Sequence, residues 1–295
     1  MSYTEITGDM RYIAKTSGLF AFMIILFIGI GYLIGGFLLG SPIIGTLLFL
    51  GIAAALNLVT YFYSDKIILK AHRAEVIKES DNPRLYNIVR DIAFEADIKM
   101  PRIAIVPTDT PNAFATGRNE NNAVVAATRG ILRTLDDEEL KGVISHEVAH
   151  IKDRDMLVMS IAATLAGAIT IMARIVWFQM FFSRRRIHPV LLLAMIFAPI
   201  GALLIRLAIS RKREFMADEQ GAKISKNPNA LARALEKLNA ENRRNPIKSN
   251  STTTASLFIV NPFKSSTFVK LFSTHPPVEE RVKKLREMAT DFSYL

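Results

Sequence analysis

Residues 136–152 read Asp136-Asp137-Glu138-Glu139-Leu140-Lys141-Gly142-Val143-Ile144-Ser145-His146-Glu147-Val148-Ala149-His150-Ile151-Lys152. Asp136 followed by Glu139 three residues later is the signature of a helix N-terminal capping box. Leu140, Val143, Ile144, Val148 and Ile151 recur at helical spacing, which predicts a largely buried helix beginning near Asp136. Within it, His146 to His150 form a His-Glu-x-x-His pattern. With about 3.6 residues per turn, side chains at i and i+4 share a face, so both imidazoles can reach one ion with Glu147 beside them. Two histidines packed on an amphipathic helix would give the same spacing without a metal. The enclosed glutamate, in a chain with five histidines, favours the metal.

A catalytic zinc takes three protein ligands and leaves one position for water. The chain has no cysteine, which removes thiol nucleophiles, thiolate ligands and disulfides together, so the third ligand must offer nitrogen or oxygen. His72, His188, His275 and many carboxylates are candidates. Glu214 and Asp218 stand four apart in Arg213-Glu214-Phe215-Met216-Ala217-Asp218, on one helix face. One of them could bind the metal while the other accepts a hydrogen bond from a ligand histidine. A charged helix face with Arg211 or Arg213 as partners is the plainer reading of the same segment.

Outward from this helix the chain is strongly segregated. Half the residues are apolar although 37 are Lys or Arg and 27 are Asp or Glu. No charged residue occurs between Lys15 and Asp65, room for two crossings at about 20 residues each, with Gly40-Ser41-Pro42 as the turn. A cleaved signal peptide would have an apolar core of only about 7 to 15 residues. The runs Gly18 to Leu39 and Ile43 to Tyr63 therefore predict a transmembrane hairpin. Arg11 and Lys15 precede it and Lys66, Lys70, Arg73 and Lys78 follow it, which puts both ends in the cytoplasm. Two more apolar runs, Met156 to Ala173 and Ile187 to Ile205, flank Arg184-Arg185-Arg186, a triplet that opposes the positive-inside rule if this hairpin also spans. The net charge of +10 does not point to nucleic acid, because the basic residues flank apolar runs instead of gathering on a binding module.

The segments between are soluble in character. Arg102 to Val106, Ala113 to Gly117 and Ala123 to Ala127 read as strands, the last two joined by turn chemistry in Arg118-Asn119-Glu120-Asn121-Asn122. Helices are predicted over Pro228 to Ala240 and Pro277 to Met288, and Arg243 to Thr267 is expected to be a mobile loop. There is no internal repeat.

Taken together, these features resemble the HtpX-type membrane heat-shock proteases, relatives of the CAAX prenyl-protein endopeptidases in one zinc family. The resemblance covers nearly the whole chain and includes Pro111-Asn112-Ala113-Phe114-Ala115-Thr116-Gly117, the His146 helix, the Glu214 to Asp218 motif and Ser273-Thr274-His275-Pro276-Pro277. It implies that His146, His150 and Glu214 hold one zinc ion, that Glu147 is the general base and that Asp218 supports a ligand. It implies further that Asn112, Ala113, Phe114 and Ala115 form an edge strand to which an extended substrate adds. His275, expected to be catalytic, and Arg281 fall in the carboxy-terminal motif, and one of them is expected to stabilise the oxyanion, Arg281 being otherwise structural.

The expected fold is a predominantly α-helical membrane protein with four hydrophobic transmembrane helices and an α+β zincin-like catalytic domain carrying a small antiparallel sheet. Its expected parts are residues 1–64, a transmembrane hairpin; 65–155, a catalytic subdomain; 156–210, a second hairpin; and 211–295, a subdomain bringing the third ligand. The expected function is endoproteolysis of misfolded or damaged membrane proteins at the cytoplasmic face of the cell membrane, with the bilayer and protein substrates as partners. A prenyl-protein processing protease and a non-catalytic zinc-stabilised membrane adaptor are the alternatives. Glu147 argues against the second, since closed structural zinc sites have no use for a base.

Overall fold

The computed structural model describes residues 40–159, 161, 211–244, 259–260 and 276–292, with scattered positions from 17 to 36. The chain divides into two compact units, Met1–Ser64 and Asp65–Leu295.

Helix α1, Pro42–Ala71, begins after a turn at Gly40 and Ser41, where Ser41 N–H donates to the Gly35 carbonyl at 2.9 Å. The positions described between 17 and 36 are helical. A Cβ on Gly31 or Gly35 would come within 2.6 to 2.7 Å of the Gly45 backbone, so small residues permit the close approach of the two segments. Ile44, Leu47, Leu48 and Leu58 on α1 are more than half exposed, a surface suited to hydrocarbon. Among the described residues α1 is the one helix long and apolar enough to cross a membrane. It runs past the expected end at Tyr63, through Asp65, Lys66 and Lys70. Charge ends a membrane crossing but does not break a helix, and at roughly 1.5 Å per residue α1 outreaches the hydrocarbon core. It stops at Arg73, whose φ of 54° lets Ala74 N–H return to the Leu69 carbonyl at 2.8 Å. The expected second hairpin and its arginine triplet lie outside the described residues, except for residues 156–159 and 161, which are helical and buried where Met156, Leu157 and Ile161 are concerned.

In the second unit, strands β1 (Glu75–Val76), β2 (Arg102–Val106), β3 (Ala113–Thr116) and β4 (Val124–Thr128) form one sheet in the order β1-β2-β4-β3. The sheet is mixed, which corrects the antiparallel expectation: β2 and β4 run parallel, while β1 with β2 and β3 with β4 are antiparallel. The chain leaves β2, travels to the sheet edge to lay down β3, then returns through the Arg118 to Asn122 turn and inserts β4 in between. β3 is thereby left as an edge strand.

The two sheet faces pack on different partners. Ala104, Val106, Phe114, Val124 and Ala126 meet Ile68 and Leu69. Ile103, Ala113, Ala115, Val125 and Ala127 join the main core formed with the helices. These are α2 (Pro83–Glu95), α3 (Arg129–Thr134), α4 (Asp137–Lys152), α5 (Arg211–Ser225), α6 (Pro228–Arg244) and α7 (Val278–Phe292). In the segment expected to be mobile, Arg243 and Arg244 belong to α6, and Ile259 and Val260 are buried at 2% and 3% exposure.

Helix α4 is the hub. Its capping box forms as expected, with Glu139 N–H donating to Asp136 at 2.9 Å and Asp136 N–H to Glu139 at 3.1 Å. Two glycines allow its neighbours to come close. A Cβ on Gly142 would lie 2.8 Å from Leu231 N on α6, and one on Gly221 would lie 2.7 Å from His146 N. Gly221→Ala is therefore expected to push α5 away from the histidine turn. A loss of about 1 to 3 kcal/mol for overpacking, with weakened metal binding, would appear in thermal unfolding with and without added zinc; unchanged binding would show that the contact can relax.

Candidate metal centre

His146 and His150 lie one turn apart on α4, their rings 4.9 Å apart and nearly perpendicular. Helix α5 brings Glu214 opposite them: Oε2 is 3.7 Å from His146 Nε2 and Oε1 is 3.7 Å from His150 Nε2. All three side chains are buried, and one ligand atom from each lies within 4.8 Å of the others. Two ligands sharing one ion at about 2.0–2.2 Å must sit within about 4.4 Å of each other, so a small cation fits between these atoms with slight contraction. His150 Nε2 is buried and finds no hydrogen-bond partner among the described residues, a situation that a metal resolves. The donor set of two imidazoles and a carboxylate suits a borderline ion such as zinc.

Each histidine is backed by a carboxylate that is itself held by an arginine. His146 Nδ1 is 2.9 Å from Asp218 Oδ1, and Asp218 takes a fork from Arg281, with Nε to Oδ2 at 2.7 Å and Nη2 to Oδ1 at 2.6 Å. Arg281 is fully buried, and its remaining Nη1 donates to the Ile259 carbonyl at 2.8 Å. On the other side His150 Nδ1 faces Asp155 Oδ2 at 3.8 Å, and Arg213 Nη1 holds Asp155 Oδ1 at 2.7 Å. Arg213 thus serves Asp155, a carboxylate outside its own helix.

Glu147 is 6% exposed and accepts a 2.8 Å hydrogen bond from Ala115 N–H, at Oε2. Ala115 belongs to β3, so the glutamate of the motif is tied directly to the edge strand. Asn112 precedes that strand and is buried. Its N–H donates to Thr128 Oγ1 and its carbonyl accepts from Thr128 N–H, both at 2.9 Å, while Oδ1 accepts from Ile259 N–H at 3.1 Å.

The electrostatics of the site are uneven. Burial lowers His146 to about 4, with the Asp218 carboxylate opposing. Burial alone would lower His150 too, but the carboxylates of Asp155, Glu214 and Glu147 outweigh it and raise it to about 9. Burial pushes Glu147 up to about 7. For Asp218, burial is overcome by Arg281 and His146, which hold the carboxyl down at about 2. The two histidines diverge because Arg281 and His150 offset the Asp218 charge at His146, whereas Glu214 and Glu147 add to Asp155 at His150. That field suits a dication.

Among the other histidines, His72 packs at a tilt against the Phe114 ring with centroids 5.1 Å apart, on the sheet face opposite α4, and so does not join the cluster. His188 and His275 lie outside the described residues. Reading the sequence missed Asp155 and Ile259 altogether. Asp155 stands five residues beyond His150, off the helical face, and returns to it only because Arg154 takes a φ of 56°. Asp155→Ala is expected to weaken metal affinity about 10- to 100-fold, measured by competition with a chromophoric chelator. An unaltered affinity would show that Asp155 only pairs with Arg213.

The family model for peptidase family M48 matches residues 79–289. A protease HtpX homolog of Thermococcus sibiricus is 48% identical over 284 residues, covering 93% of this chain and 95% of that protein. One from Pyrococcus furiosus is 48% identical over 287 residues, covering 95% of this chain and 97% of its own length. The crystal structure of S. mikatae Ste24p aligns with a TM-score of 0.48 at 15% identity, over 96% of this chain and 65% of that one. With a motif helix, a buried three-ligand cluster and relatives nearly half identical along almost their whole length, the chain belongs to peptidase family M48 and is a metalloprotease.

Proposed function

We propose that this chain is a membrane-bound zinc endopeptidase that cleaves misfolded or damaged membrane proteins at the cytoplasmic face of the cell membrane. The observation that carries this reading is the convergence of His146, His150 and Glu214, all buried, around one point beside Glu147. His146, His150 and Glu214 would hold a zinc ion there, which would supply Lewis acidity toward water and the scissile carbonyl. The protein's own groups do the rest. Glu147, poised near neutrality by burial, accepts a proton from the attacking water and delivers it to the departing amine nitrogen. Asp218 and Asp155 fix the orientation of the two imidazoles.

Substrate binds as an added strand on the outer edge of β3, along Ala113 and the Ala115 carbonyl, the Ala115 N–H being held by Glu147. Strand alternation supports this: Asn112 is bonded inward to Thr128, so Ala113 and Ala115 turn their polar groups outward. His275 stabilises the oxyanion, while Arg281, fully buried and with each nitrogen bonded to Asp218 or Ile259, serves as a structural group. A long apolar α1 supports the membrane setting, and the basic residues Lys66 and Lys70 at its end support a cytoplasmic site. Four crossings in two hairpins complete the proposed topology, the second oriented against its arginine triplet.

The test is proteolysis by the purified full chain. Cleavage of an unfolded membrane protein, abolished by a chelator and restored by one equivalent of zinc, is the expected result. Zinc binding without cleavage would instead support the adaptor, and preference for a prenylated peptide would support the processing protease.

A further inference from the structure

The residue that leads into the edge strand is not free to meet a substrate. Asn112 is 1% exposed; its backbone N–H and carbonyl both go to Thr128, and its side-chain oxygen holds the Ile259 N–H. The Ile259 carbonyl, in turn, is held by Arg281, which grips Asp218, which faces His146. Val260 is fastened as well, its carbonyl accepting from Asn242 Nδ2 at 3.3 Å. On the other side, the strand that Asn112 leads into carries Ala115, whose N–H holds Glu147, the neighbour of His146.

These contacts close a ring. It runs from His146 through Asp218, Arg281, Ile259 and Asn112 into β3, and from Ala115 to Glu147 on α4. Every side chain in it is buried. From this we infer that the Ile259 peptide is a clasp, with Asn112 as a positioning residue, which sets β3 at the height of the metal ligands. The substrate strand and the hydrolytic centre are thus aligned by one backbone unit 147 residues away from the strand it holds.

Ile259 bonds in both directions: its N–H fixes Asn112 at the head of the strand and its carbonyl fixes the arginine. Neither group has water to fall back on at 2% exposure, so losing the Asn112 acceptor leaves a buried N–H unpaired. The strand then shifts, carrying Ala115 and its grip on Glu147 with it. The inference rests on the proposed function for the role of β3 as substrate platform.

The test uses the full-length, zinc-loaded protein in proteoliposomes. Asn112→Ala removes the acceptor, Ile259→Pro removes the donor but keeps the carbonyl for Arg281, and the double variant removes both. Expected is one zinc per chain in each, faster amide exchange across residues 113–116, and kcat reduced about 10- to 100-fold, the cost of a small misplacement of reacting groups. The reduction should be the same for an unfolded protein and a short peptide of unrelated sequence. The double variant should be no worse than the worse single one, and Asn112→Asp, which keeps an acceptor, should recover protection of 113–116. A rise in KM alone would make Asn112 a substrate contact, and multiplying effects in the double variant would make the two residues independent; either overturns the clasp. Unaltered exchange at 113–116 overturns it too, whether or not the wild-type protein proves proteolytic. Absence of proteolysis in the wild type overturns the proposed function alone.

Discussion

Glu147→Gln protein is expected to bind zinc as the wild type does and to cleave nothing measurable. Gln keeps the shape of the side chain and an oxygen for the Ala115 N–H, so the 2.8 Å bond between α4 and β3 survives and the fold has no reason to change. What is lost is the ability to take a proton from water and return it to the amine. General acid–base catalysis by a positioned group is worth about 10²- to 10⁴-fold, and a residue that acts in both proton transfers belongs at the upper end. Zinc stoichiometry and the turnover of an unfolded substrate, measured on one preparation, decide the matter; cleavage within tenfold of wild type would remove Glu147 from the base role. The pH profile gives a second check. Burial holds the carboxyl near 7, and a dication beside it can only favour the ionised form. The acid limb of kcat/KM should accordingly lie at or below about 7, with activity lost as pH falls through it.

What could be read in advance divides by the range over which the causes act. Asp136 and Glu139 cap α4 through groups three residues apart, and the apolar stripe of the helix is local as well, so both were legible. Glu214 and Asp218 were legible as a pair because α5 places them on one face, though the spacing left open which of them meets the metal. The order of strands was not legible: Ala123 to Ala127 looks the same in sequence whether β4 lies outside its hairpin partner or is inserted beside β2. Asp155 escaped because a single left-handed residue, Arg154, turns the chain back under His150, and helical periodicity has no means of announcing such a turn. The Asp218 to Arg281 pair spans 63 residues and depends on α7 packing across α5. The same holds for Ile259, which sits in a polar stretch whose composition suggests a loop, while its buried hydrogen bonds go to two distant partners, Asn112 and Arg281.

The widest consequence of that long-range packing is carried by Arg281. Arg281→Met is expected to be among the most destabilising single changes in the second unit, because it strands the Asp218 carboxylate, 3% exposed, and the Ile259 carbonyl without their donor. Breaking one partner out of a buried ion pair costs about 3 to 5 kcal/mol. Metal affinity should fall as well, since Asp218 would now gain a proton more easily and cease to hold His146. Arg281 lowers the Asp218 pKa in the folded chain to about 2, so the stability it confers is present above the ordinary carboxylate range and is lost as pH falls through about 2. Without Arg281, burial raises the carboxyl again, so in the variant this acid-side loss of stability should shrink. Pairing the change with Asp218→Leu separates fold from function: an apolar pair can replace a buried ion pair with little penalty, so thermal stability of the metal-free protein should largely return. Zinc affinity should not, because His146 Nδ1 would face a methyl group. If the double variant regained both, the pair would be a packing element alone and His146 would need no orienting partner.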